Sequence, residues 1–262
     1  MFLGKATRLV EYHLGDRKRY RATVCFGASS TTDDLEGALT PAAGPAPSRS
    51  SVEAALDAFR GPIEQRPPAY SAIKVAGRRA YAMARAGETV ELAARAVTIH
   101  ALDLVSWDEA TPGEPIAIVD VECSAGTYVR SLARDLGEAV ASGAYLGALT
   151  RTASGPFELA AAIDLEAIRE AAAEGPAAIE ALLLPIDAGL DLATVVVPDA
   201  AFIAIGRGQA IGVPPGTAAL DPDAPLRLVD GAGRLLAIAR LVGTKLAPDK
   251  VLVDAPAGAA PA

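Results

Sequence analysis

Ile116-Ala117-Ile118-Val119-Asp120-Val121-Glu122-Cys123-Ser124-Ala125-Gly126-Thr127-Tyr128-Val129-Arg130 is the stretch on which the reading of this 262-residue chain turns. Ile116 to Cys123 alternates and is rich in β-branched residues, which predicts a strand. A Ser-Ala-Gly turn follows, and Thr127 can cap a helix running to about Ala141. Val129, Leu132, Ala133, Leu136 and Val140 would form the buried face of that helix.

Upstream, Tyr20, Ala22, Val24 and Phe26 share one face of an alternating strand. Thr40–Ser50 reads as a flexible loop, and Ser50 with Glu53 has the spacing of a capping box opening a short helix. Gly61–Ser71 reads as a rigid Pro-rich loop. Arg79–Ala86 reads as a helix stopped at Gly87. Val97–Val105 is a second strand, with Gly113 in the turn before the third. Downstream, Leu146–Phe157 reads as strand, turn and strand. Asp164 starts a helix, a second helix follows Pro176, and Pro185–Thr194 looks like a domain junction. Short strands at Thr194–Val197, Leu226–Val229, Leu235–Leu241 and Val251–Val253 then predict a small β-rich domain. The last residues, 255–262, read as a disordered tail.

Composition limits the function classes. Apolar residues are 51% and charged residues 21%, a globular balance. No apolar run reaches the roughly 18–20 residues that cross a bilayer, and the N-terminus lacks the order of a signal peptide. Two cysteines, Cys25 and Cys123, make no disulfide framework and fit core positions. A cytoplasmic protein with no membrane partner is expected. The net charge is −8, which hides a division. Residues 1–30 hold six basic and two acidic side chains, and residues 60–85 six and one, whereas residues from 155 onward hold seven basic and fourteen acidic. Basic segments on an acidic chain can gather into a phosphate-facing groove or simply face solvent.

Several chemistries lack their residues. His13 and His100 have no Cys or acidic partner at ligand spacing, so no metal is expected. No Walker, G-x-S-x-G or G-x-G-x-x-G pattern occurs. Two constellations remain. Arg130 falls in the first turn of its helix, where the macrodipole disfavours a cation, so either an acidic group pairs with it or it points to solvent. Gln65-x-Pro67-Pro68-x-Tyr70-Ser71-Ala72-x-Lys74-x-x-Gly77-x-x-x-Tyr81 interleaves prolines, aromatics and cations. That mixture suits base stacking and phosphate neutralisation, or a loop whose tyrosines plug the core.

Six segments, in order and with matching gaps, resemble the bacterial tRNA pseudouridine synthase B family. They are Leu3-Gly4-Lys5-Ala6-Thr7-Arg8-Leu9, Lys18-Arg19-Tyr20-Arg21-Ala22, Gln65 to Lys74, Arg95-x-Val97-x-Ile99, Cys123-Ser124-x-Gly126-Thr127-Tyr128-x-Arg130 and Ser154-Gly155-Pro156-Phe157. Arg207-Gly208-Gln209 and Pro248-x-Lys250-Val251-Leu252 resemble its PUA-type RNA-binding domain. The resemblance implies an α+β catalytic domain over 1–184, on a mixed or antiparallel sheet with flanking helices and without its first strands. It implies a PUA-like domain over 185–254 and an RNA-gripping insertion over 61–87. The activity implied is isomerisation of the T-arm uridine at position 55 by a monomer acting on the tRNA T-arm stem-loop, with no cofactor and no metal. The alternative is a non-catalytic tRNA-binding or tRNA-folding protein.

By the same resemblance Tyr20 packs on the target base and takes part in proton removal, and Arg130 pairs with the catalytic aspartate. Tyr128 and Leu149, with Tyr20, line the uridine pocket. Lys18, Arg19, Arg66, Tyr70, Lys74, Arg78 and Arg79 bind RNA. The family's nucleophile, the Asp of a G-T-L-D-P-type motif, precedes the segment matching Leu3–Leu9 and has no match here. Asp34 corresponds to a different aspartate and reads as a turn-forming residue. Met1 is therefore expected to be an internal start, with the 262-residue chain inactive and an upstream-extended form active.

Overall fold

A computed structural model describes residues 1–75, 77–90 and 92–254; the tail expected at 255–262 lies outside them. The chain forms two compact units, Gly15–Ala162 and Met1–Leu14 with Ile163–Ala262. The sequence expectation drew the boundary between 184 and 185. The structure draws it between 162 and 163 and assigns the first fourteen residues to the second unit. The reason is packing: Leu9 is fully buried with Leu190, Val229, Leu235, Ile238 and Leu252.

In the Gly15–Ala162 unit, β1 (Lys18–Phe26), β2 (Gly61–Gln65), β3 (Arg95–Asp108), β4 (Ile116–Cys123), β5 (Ala144–Ser154) and β6 (Phe157–Glu158) form one sheet in the order β6-β5-β1-β4-β3-β2. Every pairing in it is antiparallel. Tyr20 lies opposite Val121, Ala22 opposite Val119 and Val24 opposite Ala117, so the alternating apolar sets of β1 and β4 share a face. Helices α1 (Arg49–Leu56) and α3 (Val129–Ala139) cover that face, with Val52, Leu56, Val129, Leu132, Ala133 and Leu136 buried against it. The periodicity of α3 therefore reads correctly, and only Val140 is less buried than expected. Helix α2 (Ala80–Arg85) ends at Gly87, whose φ of 77° is the left-handed stop expected there.

Three local expectations need correcting. Gly61–Gln65 is a strand, not loop. Pro62 suggested otherwise, but β2 is an edge strand, where a missing N–H costs no ladder bond. The cap of α1 is Ser48, whose hydroxyl accepts from the Ser51 amide, not Ser50. The N-cap of α3 is Tyr128, without a side-chain cap; Thr127 donates back to the Ser124 carbonyl. Gly126, at φ 86°, makes the tight turn between β4 and α3 possible. Gly137 matters differently: a Cβ there would lie 2.2 Å from the Ala144 nitrogen, so α3 can meet the start of β5 only with glycine. Cys123 is buried in the core as expected, but Cys25 is on the other face and only half-buried.

In the second unit, α4 (Leu165–Glu174) is capped by Asp164, which accepts from the Ala167 amide, and α5 (Pro176–Ala181) carries Pro at its start. Strands β7 (Ala193–Val196), β8 (Ile211–Gly212), β9 (Leu226–Val229), β10 (Leu235–Val242) and β11 (Lys245–Val251) make a sheet in the order β7-β9-β10-β11-β8. Only the β7–β9 pair is parallel. The expected last strand, Val251–Val253, is displaced to Lys245–Val251 because it pairs as a hairpin with β10. The 3₁₀ helix Gly4–His13 was not anticipated. Lys5 pairs with Asp254, Glu11 with Lys250, and the Tyr12 hydroxyl donates to Asp249. No helix of the described residues is long and apolar enough to cross a membrane.

Candidate active site

The first turn of α3 carries a dense set of polar contacts. Arg130 donates to the Asp34 carboxylate (2.9 Å), to the Thr32 carbonyl (3.3 Å) and to the Tyr70 carbonyl (3.0 Å). Its side chain is 27% exposed and that of Asp34 19%. Of the two alternatives that the helix-dipole argument left open for Arg130, the structure shows the paired cation. Among the described residues its acidic partner is Asp34, a pairing that the sequence did not assign. Both Asp34 oxygens are occupied, Oδ2 by Arg130 and Oδ1 by the Thr32 hydroxyl (2.5 Å) and the Glu36 amide (3.0 Å). A carboxylate so engaged holds Arg130 in place and is a poor nucleophile.

One helical turn on, Arg134 repeats the pattern. It donates to Asp33 (2.6 Å), to Asp135 and to the Arg66 carbonyl. Burial pushes the Asp33 carboxyl up despite the opposing guanidinium of Arg134. Burial also works against the charge of Arg134, but Asp33 and Asp135 outweigh it and raise its pKa. The Asp33-Asp34 turn is thereby tied to the i, i+4 pair Arg130 and Arg134 on one face of α3.

Tyr128 sits at the start of the same turn. Its backbone exchanges two hydrogen bonds with the buried Gln65 side chain, and the Arg95 guanidinium lies 5.8 Å from its ring centre. Tyr20 lies two strand positions from the Lys18–Cys123 pair, where β4 ends and the turn to α3 begins. It packs on the core cluster that holds Val129, the residue between Tyr128 and Arg130. Burial pushes its phenol up, with the buried Cys123 adding to this and a hydrogen bond from Arg151 opposing it. Tyr20 is therefore a neutral phenol at pH 7. Leu149 lies opposite Ala22 and Arg151 opposite Tyr20, so both share the Tyr20 face of the sheet. Leu149 is 44% exposed, open to contact a ligand. Tyr20 also borders a cavity of about 220 Å³ with Arg19, Asp120 and Glu122, whose lining includes neither Tyr128 nor Arg130.

The expected RNA-binding cations divide. Arg66, Lys74 and Arg79 are exposed, and Arg79 lies 6.0 Å from the Tyr81 ring centre. Arg19 pairs with Glu158, and Arg78 pairs with both oxygens of Glu88. Tyr70 contributes its carbonyl to Arg130. The Lys18 ammonium donates to the Asp16 carbonyl. Sequence reading gave no role to Gln65, Arg134 or Arg151 and took Asp34 for a turn residue. The available signals were the repeated Arg at i, i+4 and the adjacent acidic pair. No group of His, Cys, Asp and Glu among the described residues is arranged to hold a metal ion.

Comparison with known proteins follows the same lines. Residues 1–129 match the TruB family pseudouridylate synthase N-terminal domain, and residues 130–191 the tRNA pseudouridylate synthase B C-terminal domain. The tRNA pseudouridine synthase B of Bradyrhizobium diazoefficiens is 41% identical over 258 residues, covering 95% of this chain and 72% of that protein. The protein of the same name from Pseudomonas aeruginosa is 46% identical over 188 residues, covering 71% and 60%. Among solved structures, an H/ACA RNP bound to a substrate RNA containing 2'-deoxyuridine matches with a TM-score of 0.69 at 20% identity, covering 96% of this chain and 70% of that one. A Cbf5-Nop10-Gar1 complex gives 0.67 at 22%, covering 96% and 71%. The structures agree in fold, and the sequences agree over nearly the whole length on which Tyr20, Tyr128 and Arg130 are placed: the chain belongs to the TruB family of pseudouridylate synthases.

Proposed function

We propose that this protein isomerises a uridine of the tRNA T-arm, position 55, to pseudouridine. The observation that carries the reading is the first turn of α3. There Tyr128 and the ion-paired Arg130 flank Val129, on whose core cluster Tyr20 also packs. In the reaction the glycosidic N1–C1′ bond breaks, a C5–C1′ bond forms, the C5 proton leaves and N1 gains one, so no cofactor or metal is consumed. The base must leave its stack to be reached. Tyr20 packs on the flipped uracil, and Tyr128 and Leu149 complete its pocket. Tyr20 can take the C5 proton only after its own hydroxyl proton has been passed on, and Arg151 beside it favours the phenolate so formed. Arg130, already anchored by Asp34, presents a charge to the reacting acid. Residues 61–87, with Arg66, Lys74 and Arg79 exposed, grip the T-arm, assisted by Lys18 and by Arg19 and Arg78, whose surface ion pairs are weak enough to yield to phosphate. Residues 185–254 serve as a PUA-like RNA-binding module. The protein works as a cytoplasmic monomer.

The test is tritium release from C5-labelled T-arm RNA. It is run on the 262-residue chain and on the same chain with whatever residues are encoded in frame ahead of Met1. Release by either carries the reading. Salt-sensitive binding without release by both supports the non-catalytic tRNA-binding alternative, and neither binding nor release overturns both.

A further inference from the structure

Gln65 is a fully buried polar side chain that serves the backbone of Tyr128. It is 0% exposed. Its amide nitrogen donates to the Tyr128 carbonyl (3.1 Å), and its amide oxygen accepts from the Tyr128 N–H (2.8 Å). The side chain thus behaves like one peptide unit of a neighbouring strand, fixing an extended residue (φ −101°, ψ 106°) just before the helix begins. The Tyr128 carbonyl also receives the Leu132 amide, so Gln65 completes both its lone pairs. Arg95, opposite Gln65 in the β2–β3 register, lies over the Tyr128 ring. Gln65 and its cross-strand neighbour therefore hold the backbone and the ring of the same tyrosine. The residues that follow continue the template: the Arg66 carbonyl accepts from Ser131 and Arg134, and the Tyr70 carbonyl from Arg130.

We infer that Gln65 is a positioning residue for the uridine site: it sets the backbone of Tyr128 so that the ring meets a flipped base in one fixed orientation. The inference rests on the proposed uridine pocket and adds a residue to it. Burying a long polar side chain costs rotamer entropy and water hydrogen bonds. An apolar residue would fill the same space without those costs. What an apolar residue cannot do is hold both the N–H and the C=O of Tyr128 in a fixed direction, and that is what the geometry selects.

The experiment compares binding of two T-arm stem-loop RNAs, one with uridine at the target position and one abasic there. Their affinity ratio isolates base recognition from phosphate contacts and needs no turnover. For the wild-type chain a ratio on the order of tenfold is expected from stacking on aromatic residues. Gln65→Met, of similar length but without amide groups, should bring the ratio close to one while leaving affinity for the abasic RNA within about twofold. Gln65→Asn, which can reach only one of the two Tyr128 groups, should fall between. Ser131→Ala removes a buried hydrogen bond between the same loop and the same helix without touching Tyr128. It should lower the melting temperature and keep the ratio. A ratio retained in both Gln65 variants overturns the inference and leaves the uridine site standing. A ratio that falls equally in Ser131→Ala also overturns it, because the loss then follows general loosening. No base preference in the wild type overturns the pocket and the inference together.

Discussion

Removing the guanidinium of Arg134 should cost stability in proportion to how deeply it strands Asp33. In Arg134→Met the carboxylate of Asp33 loses its 2.6 Å partner while its side chain is only 12% exposed. Breaking one side of a buried pair costs about 3–5 kcal/mol. Arg134 itself is 23% exposed, so partial solvent screening brings the expectation to about 2–3 kcal/mol. For a unit of this size that is roughly 5–10 °C in melting temperature. Trp107, the single tryptophan, packs on Phe26 in the same unit and reports its unfolding by fluorescence. The pH dependence has a defined sign. Burial raises the folded pKa of Asp33 above its unfolded value, so as pH rises the unfolded chain releases its proton first and this carboxyl subtracts stability. Without Arg134 its pKa rises further, so the variant's deficit should be largest at neutral pH and shrink as the carboxyl is protonated. Adding Asp33→Asn should recover more than half of the neutral-pH loss. Equal deficits at acid and neutral pH, or simple additivity of the two substitutions, would refute the reasoning.

Leu9→Ala should destabilise the Met1–Leu14 and Ile163–Ala262 unit by about 2–5 kcal/mol, since Leu9 is fully buried there; hydrogen exchange at the Ile238 and Leu252 amides measures it, and unchanged protection would contradict the packing. Tyr12 is pushed up to about 12 by burial, Asp249 and Glu11. The folded state then holds a proton that the unfolded chain releases near 10, so stability falls as pH rises from about 10 to 12. Tyr12→Phe should flatten that slope, as a pH series of urea midpoints would reveal.

The sequence by itself determined several elements whose cause is local. The alternation Tyr20, Ala22, Val24, Phe26, the apolar stripe of α3, the Asp164 cap and the Gly87 stop need only neighbours within a few residues, and each is where the pattern put it. The order of the six family segments carried the fold and the family with it. The cation at Arg130 stood out, because a helix start disfavours positive charge whatever surrounds it, but the sequence left pairing and solvent exposure both open. Tertiary structure alone decided who the partners are. Arg130 meets Asp34 across 96 positions, Gln65 meets Tyr128 across 63, and Lys5 meets Asp254 across 249. Chain folding sets those meetings through the burial of large apolar surfaces elsewhere. A polar side chain's own sequence records that it needs a partner but not which distant group packing will bring within hydrogen-bond reach.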